Sequence, residues 1–332
     1  MMSDHKLRWG IISTANIGKY AVIPAIQASR NGEVVAVASR DSQKAADFAA
    51  DLGIPRSYGS YEELFAAEDI DAVYNPLPNS MHLEWTVKAA GAGKHILCEK
   101  PLGLNEAECL GMDAAANENG VKLMEAFMYR FHPRFEKVLQ IVRGGALGEL
   151  RLINSAFTFR LRNPGNIRLN KELGGGSLMD VGCYCVNAAR TLAGTEPVEV
   201  QALANWASSG VDSQLVGCLR FENGLLAHLD SALDLERRES VIVAGTEGYL
   251  EVPASFVPGK GDVEFMEYRG RAEKVVHTLA GVDEYQLMVE HFADCVLNDQ
   301  PLRYLPAEAA ANMRVIEALY RSAHQHGRPV NL

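Results

Sequence analysis

The sequence predicts a two-domain protein. A parallel, doubly wound α/β domain occupies residues 1–126, and an α+β domain with a large, mostly antiparallel open sheet occupies 127–332. Three observations predict this. At 332 residues the chain exceeds the roughly 250 to 300 at which single cores stop growing. As far as Glu125, short Val- and Ile-rich runs alternate with helix-period segments, the pattern of parallel strands joined by helical crossovers. Past that point the alternation stops, and turn signals such as Glu222-Asn223-Gly224 and Gly245-Thr246-Glu247-Gly248 announce hairpins and meanders.

In the first domain the predicted strands are 7–12, 33–39, 71–74, 94–98 and 121–125, apolar enough to be buried on both faces. Helices are expected at 17–30, 42–52, 61–67, 80–90 and 105–119. In the second, a helix near 133–143 precedes strands at 150–161, 199–207, 213–221, 225–233, 240–244 and 249–252. Helices at about 283–298 and 307–324 close the chain, the last expected to pack back on the first domain.

Composition narrows the function class. With 48% hydrophobic and 22% charged residues the chain has material for sizeable cores. A net charge of -10 argues against nucleic acid and anionic membranes as partners. No apolar run approaches the roughly 18 residues of a membrane span, and the start of the chain lacks a signal-peptide apolar region, so a cytoplasmic location is expected. The six cysteines form no Cys-x-x-Cys pair and no zinc-like spacing with histidine, so reduced thiols and no metal site are expected.

The first strand runs into Gly10-Ile-Ile-Ser13-Thr14-Ala15-Asn16-Ile17-Gly18, where a dinucleotide fingerprint of three glycines reads Ser13, Ala15 and Gly18, two of the three being replaced. Small side chains still allow a pyrophosphate to approach the helix start, and the position in the first βα unit marks a Rossmann domain. The second strand ends at Ser39-Arg40-Asp41, with Lys44 following. A hydroxyl and a guanidinium suit a 2′-phosphate, so NADP is preferred over NAD. The alternative makes Asp41 a helix N-cap, or turns it to a ribose, and leaves Arg40 solvated.

Pro76, Leu77, Asn79 and His82, in a proline-rich lip at the same sheet edge, are candidate cofactor contacts. Asn79 reads equally as an N-cap and His82 as a first-turn surface residue. Glu99-Lys100-Pro101 follows the strand at 94–98, so Lys100 stands at the carboxyl edge where open α/β sheets bind ligands. The plain alternative is a turn with a solvated amine. Behind the triplet Gly174-Gly175-Gly176, the i, i+4 pair Asp180 and Tyr184 shares one helix face, where a carboxylate beside a tyrosine can order a substrate hydroxyl and assist proton transfer. The pair also reads as a helix-end acid and a core aromatic. Met128, Arg162 and Arg168 are candidate substrate contacts, although the loop bearing the arginines also reads as a solvated excursion.

Taken in order, Gly10 to Gly18, Tyr74 to His82, Glu99-Lys100-Pro101 and Asp180 to Tyr184 resemble the Gfo/Idh/MocA family of nucleotide-dependent sugar oxidoreductases over essentially the whole chain. Trp9-Gly10-Ile11-Ile12 and Glu125 to Pro133 look most like its NADP-linked D-xylose dehydrogenase and dimeric dihydrodiol dehydrogenase branch. The resemblance implies that Lys100 contacts the reacting hydroxyl or carbonyl, that Tyr184 is the acid/base with Asp180 its neighbour, and that Glu99 and Lys100 border the cofactor. It also implies a sugar or polyol substrate bound where the nicotinamide faces the second domain's sheet, and a homodimer or dimer of dimers. Two alternatives within the fold are a non-catalytic NAD(P)-binding regulator and an enzyme that oxidises transiently with a tightly held cofactor.

Overall fold

The computed structural model describes residues 5–270 and 273–332. They form two units. The first holds the described residues through Met128 together with Asp283–Ala310, and the second holds Tyr129–Val282 and Ala311–Leu332.

In the first unit six parallel strands, β1 (Leu7–Ile12), β2 (Gly32–Ala38), β3 (Arg56–Tyr58), β4 (Ala72–Asn75), β5 (His95–Cys98) and β6 (Leu123–Glu125), line up in the order β3-β2-β1-β4-β5-β6. The crossovers are α1 (Ile23–Ala28), α2 (Ser42–Leu52), α3 (Tyr61–Phe65), α4 (His82–Gly91) and α5 (Glu106–Glu118). Strands β1, β4 and β5 are buried almost throughout, as continuous apolar runs in a doubly covered sheet should be. Short β3 was not foreseen, being three half-buried or exposed residues at the sheet edge.

A helix from much later in the chain, Glu284–Leu297, closes this unit. Phe292 packs on Trp9 with ring centroids 5.3 Å apart, and Asn31 Nδ2 donates to Asp294 Oδ1 at 2.8 Å. Arg30 pairs with Asp294, and the Tyr304 hydroxyl accepts from Phe127 N at 3.0 Å. The expected division at residue 126 is therefore corrected in one respect: 283–310 belongs with the first unit. The helix that packs back is the penultimate one, because its apolar face covers β1, and the final helix is divided at residue 310.

The second unit begins with α6 (Pro133–Arg143) and builds a nine-stranded sheet from β7 (Leu150–Arg160), β8 (Pro197–Trp206), β9 (Asp212–Phe221), β10 (Leu226–Ala232), β11 (Asp234–Gly245), β12 (Gly248–Pro253), β13 (Val263–Arg269), β14 (Glu273–Leu279) and β15 (Val330–Asn331). Its order is β14-β13-β12-β11-β7-β10-β9-β8-β15, and among the described residues β7 and β10 are the one parallel pair. Strand β9 alternates buried and exposed positions, the mark of a sheet with one covered face. Helix α7 (Cys183–Ala193) lies against β7 and β10 and is buried along most of its length. Helices α8 (Glu284–Leu297), already described, and α9 (Pro306–His324) lie between β14 and β15. No helix among the described residues is long and apolar enough to cross a membrane.

Candidate active site

The first unit gathers the predicted cofactor residues at the carboxyl edge of its sheet. Ser13 leaves β1 with φ at +92°, a conformation that L residues avoid and that the missing glycine would adopt freely. Such a backbone costs on the order of 1 to 3 kcal/mol, and it is held by Ser13 N donating to Ala38 O at 2.8 Å and by Ala15 N donating to Ser13 Oγ at 3.3 Å. Thr14, Ala15 and Ile17 are half-buried and Asn16 is exposed. Helical geometry begins at residue 16 and passes through a π turn at Gly18–Val22 before α1. Positive φ, small side chains and a helix start together fit a dinucleotide pyrophosphate.

At the end of β2, Asp41 Oδ1 accepts Lys44 N at 3.1 Å and caps α2. Its carboxylate is thereby committed to the helix. Buried Ser39 accepts Asp41 N through Oγ at 3.3 Å, while Arg40 and Lys44 are exposed on the same turn. Burial raises the Tyr61 phenol above its ordinary pKa, and the positive charge of nearby Arg40 pulls the other way. The donor set is cationic where a 2′-phosphate would lie.

The lip after β4 is rigid. Asn75 is fully buried, its Oδ1 accepting Leu77 N at 3.2 Å and its Nδ2 donating to Thr86 Oγ1 at 3.2 Å. Pro76 and Leu77 are buried, and Asn79 opens a 3-10 turn that Pro78 precedes without a side-chain cap, so Asn79 is not the N-cap. His82 corrects both expectations made for it. It is fully buried, with Nε2 2.8 Å from Leu77 O and Nδ1 3.0 Å from Pro101 O. The ring ties the lip to the segment after Lys100 instead of facing a cofactor. Burial holds its pKa below the ordinary value against the pull of the three backbone carbonyls around it.

Lys100 follows β5 at the same edge, half-buried, and its bond to Pro101 is cis. Both flanks are fixed. Glu99 N donates to Asn75 O at 3.0 Å, Glu99 Oε1 accepts the Tyr74 hydroxyl at 2.6 Å, and Leu102 N donates to buried Glu125 Oε1 at 2.8 Å. Burial and then the Glu99 carboxylate keep the Tyr74 phenol protonated, well above its ordinary pKa. Glu99 therefore anchors the lysine's strand end through Tyr74.

The second unit holds the other predicted group. Asp180 lies in a π turn, Leu178–Gly182, that leads into α7, so the expected regular helix opens with a wider turn while 180 and 184 stay one turn apart. Arg168 Nε meets Asp180 Oδ2 at 2.6 Å. Tyr184 is 5% exposed, its ring among Tyr129, Phe157 and Phe256 at centroid distances of 5.9, 5.5 and 5.4 Å. Arg162 is exposed, and Met128 is buried in a 3-10 turn.

The glycine triplet is explained by close approach. A Cβ on Gly175 would stand 2.4 Å from Arg168 O and 2.8 Å from Asn170 O. Gly176, at φ +124°, leaves room for Asp212, whose Oδ2 accepts Ser177 Oγ at 2.6 Å and Leu178 N at 2.8 Å. Sequence reasoning missed Asp212, because an acid in Ser209-Gly210-Val211-Asp212 looks like any turn before a strand.

Family models match both parts of the chain. Residues 7–127 match an oxidoreductase family with an NAD-binding Rossmann fold, and residues 135–251 match the GFO/IDH/MocA C-terminal domain. The chain is 40% identical over 318 residues to D-xylose 1-dehydrogenase (NADP(+)) 2 of Haloferax volcanii, covering 96% of this chain and 97% of that protein. Among solved structures it is similar to KijD10, a 3-ketoreductase from Actinomadura kijaniata in complex with NADP and TDP-benzene, at TM-score 0.91 and 29% identity over 96% of this chain and 98% of that one. It is also similar to aldose-aldose oxidoreductase from Caulobacter crescentus, at TM-score 0.92 and 30% identity over 99% of this chain and 100% of that one. The chain belongs to the Gfo/Idh/MocA family of NAD(P)-binding oxidoreductases.

Proposed function

We propose that the protein is an NADP-dependent enzyme that moves a hydride between NADP and a sugar or related polyol, as an aldose dehydrogenase or ketoreductase. The reading rests above all on the Asp180 carboxylate, oriented by Arg168 at 2.6 Å, one helical turn from the enclosed Tyr184. A nucleotide-binding regulator has no use for that arrangement. Ser39, Arg40 and Lys44 favour NADP because Asp41 is engaged in capping α2.

NADP, when bound, accepts the hydride in oxidation and returns it in reduction. Tyr184, or a water it orders, takes the proton of the reacting hydroxyl and gives it back to the carbonyl oxygen in the reverse direction. Asp180 orders that hydroxyl. The Lys100 ammonium stabilises negative charge developing on the substrate oxygen. Ser13, Thr14, Ala15, Asn16 and Ile17 hold the pyrophosphate through the turn and helix start, with Pro76, Leu77 and Asn79 bordering the nicotinamide end. Sugar contacts fall to Arg162, Arg168 and Met128.

Similarity to an aldose-aldose oxidoreductase favours a second reading, in which one aldose is oxidised and another reduced on a retained cofactor. Incubation with NADP+ and a panel of aldoses, followed by NADPH absorbance and by sugar products, tests both. Free NADPH from at least one aldose supports the first reading, and products without net NADPH support the second. Cofactor binding with neither would make the protein a regulator.

We propose further that the enzyme works in the cytoplasm as a homodimer or dimer of dimers. Leu203 of β8 faces Val216 of β9 across the ladder, both exposed, and Leu226 of β10 is also exposed. Light scattering should give an oligomer that Leu203→Lys dissociates, and a monomeric parent would overturn this assignment.

A further inference from the structure

We propose that Asp212 is a positioning residue for the proton-transfer pair Asp180 and Tyr184; the inference rests on the catalytic reading above. Asp212 opens β9 and is 1% exposed. Three donors from two other elements converge on its carboxylate. Ser177 Oγ and Leu178 N reach Oδ2 at 2.6 and 2.8 Å, and the Tyr320 hydroxyl of α9 reaches Oδ1 at 2.7 Å.

This carboxylate does the work of a helix cap from outside the helix. Ser177 has right-handed helical geometry and makes no cap of its own, so the first amide of the turn that bears Asp180 is satisfied from a strand 34 residues away. A buried carboxylate is a costly acceptor, and a local Ser or Asn cap would satisfy the same amide. What the distant acid adds is a fixed position. Gly176 brings the chain so close that a Cβ would lie 2.2 Å from Asp212 Oδ1, and Ser177 Oγ also stands 2.9 Å from Ser231 Oγ on β10. The helix start is thereby pinned to β9, β10 and α9 together. Asp180 N donates to Gly176 O at 3.0 Å, so the pinned residue and the candidate catalytic residue share one hydrogen-bonded turn. Burial pushes the Asp212 carboxyl up, and its three donors pull it back toward the ionised form they require.

Tyr320→Phe removes one anchor with little change of shape, and Asp212→Asn weakens all of them. With the full-length enzyme, NADPH affinity should remain near wild type in both. The kcat for sugar oxidation should fall about ten-fold in Tyr320→Phe and about a hundred-fold in Asp212→Asn, the scale expected when a reacting group is displaced by about an ångström. The pH profile of kcat/KM should shift in both, because Asp180 and Tyr184 would no longer face one another in the same way. Lower melting temperatures with wild-type kcat and an unchanged pH profile would reduce Asp212 to a structural cap. Should Asp212→Asn fail to fold, Tyr320→Phe decides alone. A parent protein that transfers no hydride with any sugar would overturn the catalytic reading itself, and the positioning role with it.

Discussion

Arg168 and Asp180 are held together at 2.6 Å, with the guanidinium 5.9 Å from the centre of the Phe159 ring. The pair joins a loop to the π turn before α7 and fixes which way the carboxylate points. Sequence alone made Arg168 a candidate substrate contact, and the structure adds that its guanidinium grips the acid. Arg168→Gln should lower kcat on the order of ten-fold by releasing Asp180, with a smaller change in NADPH affinity. Steady-state kinetics with sugar and cofactor varied separately would check this, and an unchanged kcat would remove Asp180 orientation from the mechanism.

Lys100→Ala and Tyr184→Phe should each reduce turnover about a hundred-fold or more, the usual scale for losing an acid/base or charge-stabilising group. Fluorescence titration with NADPH should give affinities close to the parent. Near-normal rates in both variants would sink the proposed roles.

Arg40→Ala should raise KM for NADP+ by about ten- to a hundred-fold while leaving NAD+ kinetics nearly unchanged, since a charge-assisted contact to phosphate is worth about 1.5 to 3 kcal/mol. Measuring kcat/KM for both cofactors reads this directly. Equal losses with both would mean that Arg40 does not meet a 2′-phosphate.

Gly175→Ala places a methyl 2.4 Å from Arg168 O and 2.7 Å from Arg168 C. Backbone atoms cannot swing aside as a side chain can, so about 2 kcal/mol or more of stability should be lost, together with the Arg168 to Asp180 alignment. Urea unfolding and kinetics on the same preparation would test both. A neutral result would mean that the 166–170 segment yields at little cost.

His132 carries a pH prediction. It is 2% exposed, its Nδ1 accepts Arg134 N at 3.0 Å, and burial with the Arg134 charge lowers its pKa from 6.5 to about 4. The neutral ring is the folded form. Stability from this residue is therefore complete above about pH 6.5 and is lost as pH falls toward 4, a total on the order of 3 kcal/mol. His291, also lowered to about 4, shares this acid limb. Denaturant titrations across the range should show a flatter slope for His132→Asn, which can keep the cap on α6. The parent's slope in that variant would place the acid sensitivity elsewhere.

Local rules made much of this protein legible. Val- and Ile-rich strands, the fingerprint turn and the strand-end lysine were readable because each depends on a few adjacent residues. Strand β13 escaped because an acid, Glu267, takes one of its buried positions, and edge strand β14 because it has no buried position at all. His82 looked like a surface residue because its carbonyl partners include Pro101 and Leu102, brought near only by the fold. Asp212 and Tyr320, 108 residues apart, left no local mark at all.

The late return of 283–310 has a consequence for synthesis. The ribosome emits Trp9 and Asn31 early, but Phe292 and Asp294, which cover and bind them, emerge only after strands β7 to β14 of the second unit. The nucleotide half therefore waits, with an indole and a row of polar partners uncovered, until the chain is nearly finished. A nascent chain stalled near residue 280 should expose that surface to chaperones or proteases, even when strands β7 to β14 have already paired.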